Sequence, residues 1–327
     1  MVEKELRYFI HAFTNLNTGG GRLKDPAPHK PLILLSVIQG YESGLLTDNT
    51  ISITPELTSI FKTNWSRLVS TNHTLSFAMP FFRLKNEYGD WWQLIANPGC
   101  ERWVQTGDLS NFSSLSNAVT YAEIDLKLAD LLLDRVSRNV LYQTLLDRYF
   151  PGQAGYTELP GNPALDELRR EMLDELPDAY GKKVKGLKKR LNAETYEIEL
   201  YAREALFRRE VVRLYDDRCC ISGIRVSAPY SFTMVDACHI VPFAETFNNH
   251  PTNGIALCPN LHRAFDKGAI SIDDDYQVLI SGTFVEDKTS IYSLSTLSGK
   301  HLKLPQNKLY LPSLEALDWH RKYVYKG

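Results

Sequence analysis

His239, Asn253 and His262 stand in that order, with thirteen residues between the first two and eight between the last two. Imidazole ordinarily titrates near neutral pH, so a neutral His239 can accept a proton from water. The run Pro259 to Phe265 reads as a helix, and Asp266 then lies one turn beyond His262 on the same face. Asp236, three residues ahead of His239, offers a second carboxylate. A base on one segment and an imidazole–carboxylate pair on the next suit hydrolysis assisted by a divalent metal.

The surroundings narrow this. The chain reads Val235-Asp236-Ala237-Cys238-His239-Ile240-Val241-Pro242, then Asn253-Gly254, then Leu261-His262-Arg263-Ala264-Phe265-Asp266, with Cys220-Ile221-Ser222-Gly223 ahead of all three. Over about residues 200 to 285 this resembles the HNH endonucleases, and within them a subset found in bacterial restriction enzymes. The resemblance implies two β-strands, a loop and an α-helix clamped around one divalent metal. It implies His239 as general base, His262 as metal ligand, and Asn253 as the residue that fixes the loop through side-chain to backbone hydrogen bonds. It further implies Mg²⁺ or Mn²⁺ as the cation and double-stranded DNA as partner, and Arg263 is a candidate phosphate contact. Cys238 is a departure, because many relatives carry Asp or His immediately before the catalytic His. A hard, oxygen-preferring cation does not choose a thiol, so Asp236 and Asp266 both stand as candidates for the further ligand.

The elements that must position these residues read as an α+β protein: an N-terminal mixed helix/strand recognition domain and a C-terminal ββα-metal nuclease domain. We expect a recognition domain over 1–152, a basic and partly helical linker over 153–197, a nuclease domain over 198–285 and a C-terminal extension over 286–327. In the first stretch, helices are expected at Lys4 to Phe13, His29 to Tyr41 and from Thr54-Pro55 through Leu68, with Pro in the first turn. A strand is expected at Ile51 to Ile53. Strands are expected at Phe77 to Leu84 and Trp91 to Ile95 around the turn Asn86 to Asp90. Helices are expected at Tyr121 to Leu133 and Val140 to Tyr149. Thr14 to Pro28 reads as a loop, and Pro160 to Pro163 as a break. Further on, a helix is expected from Ile198 to Tyr215, strands at Cys220-Ile221, Phe232 to Ile240, Ile270 to Ile272 and Val278 to Ile280, and a helix from Pro312 to Lys322. Strand and turn character is expected in the rest of the tail.

The first 150 residues carry a second resemblance. Ala27-Pro28-His29-Lys30-Pro31-Leu32-Ile33-Leu34-Leu35, Ser76-Phe77-Ala78-Met79-Pro80-Phe81-Phe82-Arg83-Leu84 and Trp91-Trp92-Gln93-Leu94 are similar to the sulfur-recognising domain of restriction enzymes that cut phosphorothioate-modified DNA. There an aromatic–Pro pair lines an apolar cup for the sulfur. Sulfur is larger, softer and less hydrated than the phosphate oxygen it replaces, so an apolar cup flanked by cations favours it. Met79 stands where that family has the aromatic residue, and a thioether can also line a soft cup. Lys30, Arg67, His73 and Arg83 are candidate phosphate contacts beside Met79 and Pro80.

Net charge is −2, so DNA binding must come from local patches. Two are evident. Six of the nine residues 182–190 are Lys or Arg, and Arg203, Arg208, Arg209, Arg213 and Arg218 fall within sixteen residues, Arg208 and Arg209 adjacent. The five cysteines, Cys100, Cys219, Cys220, Cys238 and Cys258, include no CxxC pair, which argues against a structural zinc and for reduced thiols. No apolar run approaches membrane-spanning length and no leader pattern opens the chain, so a cytoplasmic protein without a membrane partner is expected. One metal site cuts one strand per visit, so a double-strand break calls for a homodimer or for two sequential nicks. Three competing readings are a nuclease for unmodified sequence or another base modification, a catalytically silent DNA-binding protein, and a delivered nuclease toxin.

Overall fold

The computed structural model describes residues 2–19, 27–151, 163–228, 232–287, 289–290 and 292–327. The expected loop Thr14 to Pro28 lies only partly among them, and the expected break at Pro160 to Asn162 lies outside them. Helices and small antiparallel sheets are mixed, as an α+β chain requires. The chain forms two compact units, residues 1–166 with 191–202, and residues 167–190 with 203–327. No described helix is long and apolar enough to cross a membrane.

In the first unit the elements are α1 (Val2–Thr14), α2 (His29–Glu42), β1 (Thr50–Ser52), α3 (Pro55–Leu68), α4 (Ala78–Arg83), β2 (Trp92–Ala96), α5 (Glu101–Thr106), α6 (Phe112–Ala118), β3 (Val119–Ile124), α7 (Leu126–Leu133) and α8 (Arg135–Tyr149). β3 is the central strand, paired antiparallel with β1 and β2. α2 is buried along nearly its whole length, Pro31 to Ile38, so its continuous apolar run is a core helix. α3 starts as its sequence dictates: Thr54 accepts from Leu57 N and Pro55 fills the first turn.

Two sequence expectations are corrected here. Residues 77–84 are not a strand but α4 and a following 3₁₀ turn. Phe77 and Phe81, four apart, are both buried and stack at 5.4 Å, a helical spacing. The Glu194 carboxylate accepts from Phe77 N and Ala78 N, each at 2.7 Å, and satisfies the open amides of the first turn. Residues 121–124 are not helical either. Pairing on both edges makes them strand, and the helix waits until Leu126, where Asp125 accepts from Lys127 N.

The second unit contains α9 (Pro163–Asp174) from Glu167 on, α10 (Pro177–Arg190), α11 (Ala193–Leu214) from Arg203 on, β4 (Ser227–Ala228), β5 (Phe232–Thr233), β6 (Asp236–His239), α12 (Phe243–Thr246), β7 (Gly254–Leu257), α13 (Pro259–Asp266), β8 (Ile270–Ile272), β9 (Val278–Ile280) and α14 (Leu314–Tyr323). The segment expected as a basic, partly helical linker carries α9, α10 and the start of α11. α10 buries Tyr180, Val184 and Leu187, and Lys183 pairs with Glu171 and Glu175. Cys220-Ile221, expected as strand, forms a turn. Among the described residues beyond 284 the tail has no named strand, only 3₁₀ turns, one bridge between Gln277 and His301, and α14.

Candidate active site

β6 and β7 pair antiparallel in the register Asp236↔Leu257, Ala237↔Ala256, Cys238↔Ile255 and His239↔Gly254. α13 follows directly, so hairpin and helix form one ββα unit. Strand alternation sends Asp236 and Cys238 to one face and Ala237 and His239 to the other. On the first face Cys238 Sγ lies 3.7 Å from Asp266 Oδ1 of α13. On the second the His239 ring stacks flat on Phe207 of α11, centroids 3.9 Å apart. Gly254 opposite His239 permits this packing. A Cβ there would stand 2.6 Å from Val211 Cγ2 and 2.9 Å from the Phe207 ring.

His239 Nε2 lies 2.8 Å from Asn249 Oδ1. An amide oxygen only accepts, so Nε2 carries the proton and Nδ1 is left as the accepting nitrogen. Burial lowers the His239 pKa; the Asn249 bond and Glu204 oppose it, and Arg208 and His262 add to it. The ring is therefore neutral at neutral pH. Asn249 is 1% exposed and its Nδ2 finds no partner among the described residues. Sequence reasoning missed this residue. Its signal, an Asn in the loop ten positions on, has no fixed spacing to find it by.

Asn253 is buried and bridges the loop to β6. Its Oδ1 accepts from Val241 N at 2.9 Å, and its Nδ2 donates to Val241 O at 2.9 Å and to Asn248 O at 3.0 Å. On α13, Leu261 and Phe265 turn inward, so His262 and Asp266, each one position on, share the neighbouring, partly exposed side. His262 Nε2 lies 3.6 Å from Asp266 Oδ2 and Nδ1 lies 3.9 Å from Asp236 Oδ2. The imidazole thus sits between two carboxylates, a donor set that fits a divalent cation. Beyond the end of α13 the chain turns at Gly268, φ +75°, with Gly268 N donating to Phe265 O and Ala269 N to Ala264 O. From α14, His320 stacks on Phe265 and bonds its carbonyl.

A cleft of about 1170 Å³ opens over these groups. His239, His262, Asp236 and Asp266 line it together with Arg208 and Arg209 of α11. Arg208 is exposed and paired with Glu204, Arg209 is exposed, and Arg263 projects to solvent from α13. In the first unit, Met79 is 49% exposed at the start of α4 while Pro80 is buried. Arg67 is exposed, and His73 is half-buried, its Nδ1 2.7 Å from Thr71 Oγ1. Lys30 is turned inward onto Glu87, its side chain 11% exposed.

Residues 219–273 match the family model described as HNH endonuclease. No curated protein matches the chain. Among solved structures, the chain is similar to a modification-dependent restriction endonuclease, TagI, at 23% identity, over 37% of this chain and 38% of that one, with a TM-score of 0.29. It is also similar to ScoMcrA, a type IV phosphorothioation-dependent restriction endonuclease, at 12% identity, over 80% of this chain and 95% of that one, with a TM-score of 0.32. The chain thus spans 38% of the length of the first of these structures.

Proposed function

We propose that this chain, with an HNH endonuclease domain over residues 219–273, is a DNA endonuclease dependent on a divalent metal, and that it restricts phosphorothioate-modified DNA. The observation that carries the catalytic half is the neutral His239, held flat on Phe207 with Nε2 tied to Asn249, in the cleft that His262 also lines. His239 takes the proton of the attacking water at Nδ1. Asn253 holds the loop after β6 and so keeps His239 aligned. His262, with Asp236 and Asp266 as candidate partners, would hold the cation. Bound Mg²⁺ or Mn²⁺ supplies positive charge against the scissile phosphate and the leaving 3′-oxygen. Arg208, Arg209 and Arg263 contact phosphates on either side of the cleaved bond, with Arg208 exchanging Glu204 for DNA.

Target choice belongs to the first unit. The exposed Met79 thioether beside Pro80, with Arg67 and His73 as phosphate contacts, supports recognition of a softened phosphate. Lys30, already paired with Glu87, would serve that role only by giving up a nearly buried ion pair.

The test pairs two matched plasmids, one phosphorothioate-modified, with the purified chain and Mg²⁺ or Mn²⁺, and His239→Ala as control. Cutting of the modified plasmid alone, lost in the variant, is expected. Cutting of both would remove the sulfur specificity. Binding to either without any cutting would overturn the catalytic reading.

A further inference from the structure

The residue before His239 brings a thiol to the cation's position. Cys238 Sγ, a nitrogen of His262 and a carboxylate oxygen of Asp266 all lie within 4.8 Å of one another. Thiolate, imidazole and carboxylate together are the donors of Zn²⁺ and its borderline-soft neighbours, whereas Mg²⁺ prefers oxygen alone. Cys238 is fully buried behind the site, while His262 and Asp266 are partly open to solvent and leave an entrance. Asp236 lies at the other nitrogen of the imidazole, the place from which an outer carboxylate orients a ligating His.

We propose that Cys238, His262 and Asp266 form a site for a thiophilic divalent ion, Zn²⁺ above all, that shares His262 and Asp266 with the nuclease cation and excludes it. On binding, the S–H bond breaks, a metal–sulfur bond forms and the proton leaves to water; no electrons are transferred. The competition with the nuclease cation rests on the nuclease reading, but the binding does not. A soft ion on this set would hold the nuclease inactive until a chelator or a stronger thiol ligand removed it.

Co²⁺ is the probe, because its sulfur-to-metal charge-transfer absorption reports a thiolate ligand directly. Titration of the full chain is expected to give one saturable band per chain, displaced by Zn²⁺, with proton release. The band should vanish in Cys238→Ser and persist in Cys219→Ser, whose thiol is hydrogen-bonded to Cys258 and is the competing candidate. Asp266→Asn should weaken Co²⁺ by at least the roughly 10–100-fold that loss of an outer partner costs. No band in the wild type, or a band that survives Cys238→Ser, overturns the proposal. Should Cys238→Ser fail to fold, unchanged Co²⁺ affinity in the more exposed Asp266→Asn does the same. In parallel, Zn²⁺ should competitively inhibit Mn²⁺-supported cleavage of the phosphorothioate-modified plasmid by the wild type, and non-competitive behaviour overturns the shared ligands. A Co²⁺ band without Mn²⁺-supported cleavage of either plasmid would remove the nuclease reading and leave the metal site standing.

Discussion

His320 couples the stability of the second unit to pH in a way that can be worked out from its contacts. The ring is 1% exposed and lies 3.6 Å from the Phe265 ring. Phe265 O, at 3.1 Å from Nε2, can only accept, so Nε2 donates and Nδ1 accepts from Ser271 Oγ at 2.9 Å. Burial is the dominant influence and holds the His320 pKa down to about 4, with the Phe265 carbonyl opposing and Arg321 adding. Above the ordinary value of 6.5, folded and unfolded chains are both neutral here and stability is full. Between there and about 4 the unfolded ring takes a proton and the folded one does not, so stability falls as pH falls. Over that window the loss amounts to about 3 kcal/mol. His320→Gln keeps a donor for Phe265 O and an acceptor for Ser271 but has nothing to titrate. Urea unfolding at pH 7 and pH 4.5, followed by hydrogen exchange in peptides covering β8 and α14, confines the reading to this unit. Other titrations are common to both chains, so the wild type should lose about 2–3 kcal/mol more than the variant. Equal losses would refute the argument that a neutral, buried imidazole supports the end of α13.

Asn253→Ala removes three buried hydrogen bonds at about 1 kcal/mol each, so the unfolding free energy from urea titration should fall by about 3 kcal/mol; a change below about 1 kcal/mol would mean the loop is held elsewhere. Asn249→Asp places a negative charge beside His239 Nε2 and raises that pKa, which moves the acid limb of the kcat/KM profile to higher pH. The wild type, its ring held low by burial, keeps the base form to lower pH than an ordinary imidazole, and superimposable profiles would contradict the assignment of Asn249. Glu194→Ala strips the first turn of α4 of its acceptor, and thermal unfolding should register a loss of about 2 kcal/mol; an unchanged midpoint would show that water replaces the carboxylate.

The segment from Asp236 to Asp266 was the most legible part of the sequence, in part for a local reason. Phe232 to Ile240 reads as strand and Pro259 to Phe265 as helix because alternation and the helix-starting Pro act on their own neighbours, whereas the pairing strand Gly254 to Leu257, buried throughout and reached only after residues 240–253, came from the resemblance. The strands Ile270 to Ile272 and Val278 to Ile280 were equally plain. Misreadings arose where distant chain decided the outcome. Phe77 to Leu84 is rich in aromatic residues and reads as strand until Glu194, more than a hundred positions away, satisfies its first amides. Tyr121 to Ile124 reads as helix until β1 and β2 pair with both its edges. Asn249 and the closeness of Cys238 to Asp266 depend on loop path and register, which no spacing rule supplies.

The Asn253–Gly254 peptide also sets a chemical clock. Asparagine followed by glycine is the dipeptide most open to loss of ammonia, when the glycine nitrogen attacks the side-chain carbonyl carbon. Here Gly254 N donates to Pro251 O and the amide is tied at both ends, so neither partner can reach the other without local opening. The folded chain therefore protects its own most perishable bond, and ageing proceeds only in the moments when the hairpin loop is open. The aspartate so produced would face the carbonyl oxygens of Val241 and Asn248, and the loop would not close again as before. Storage time, and not only temperature, would then leave its mark on the loop that follows His239.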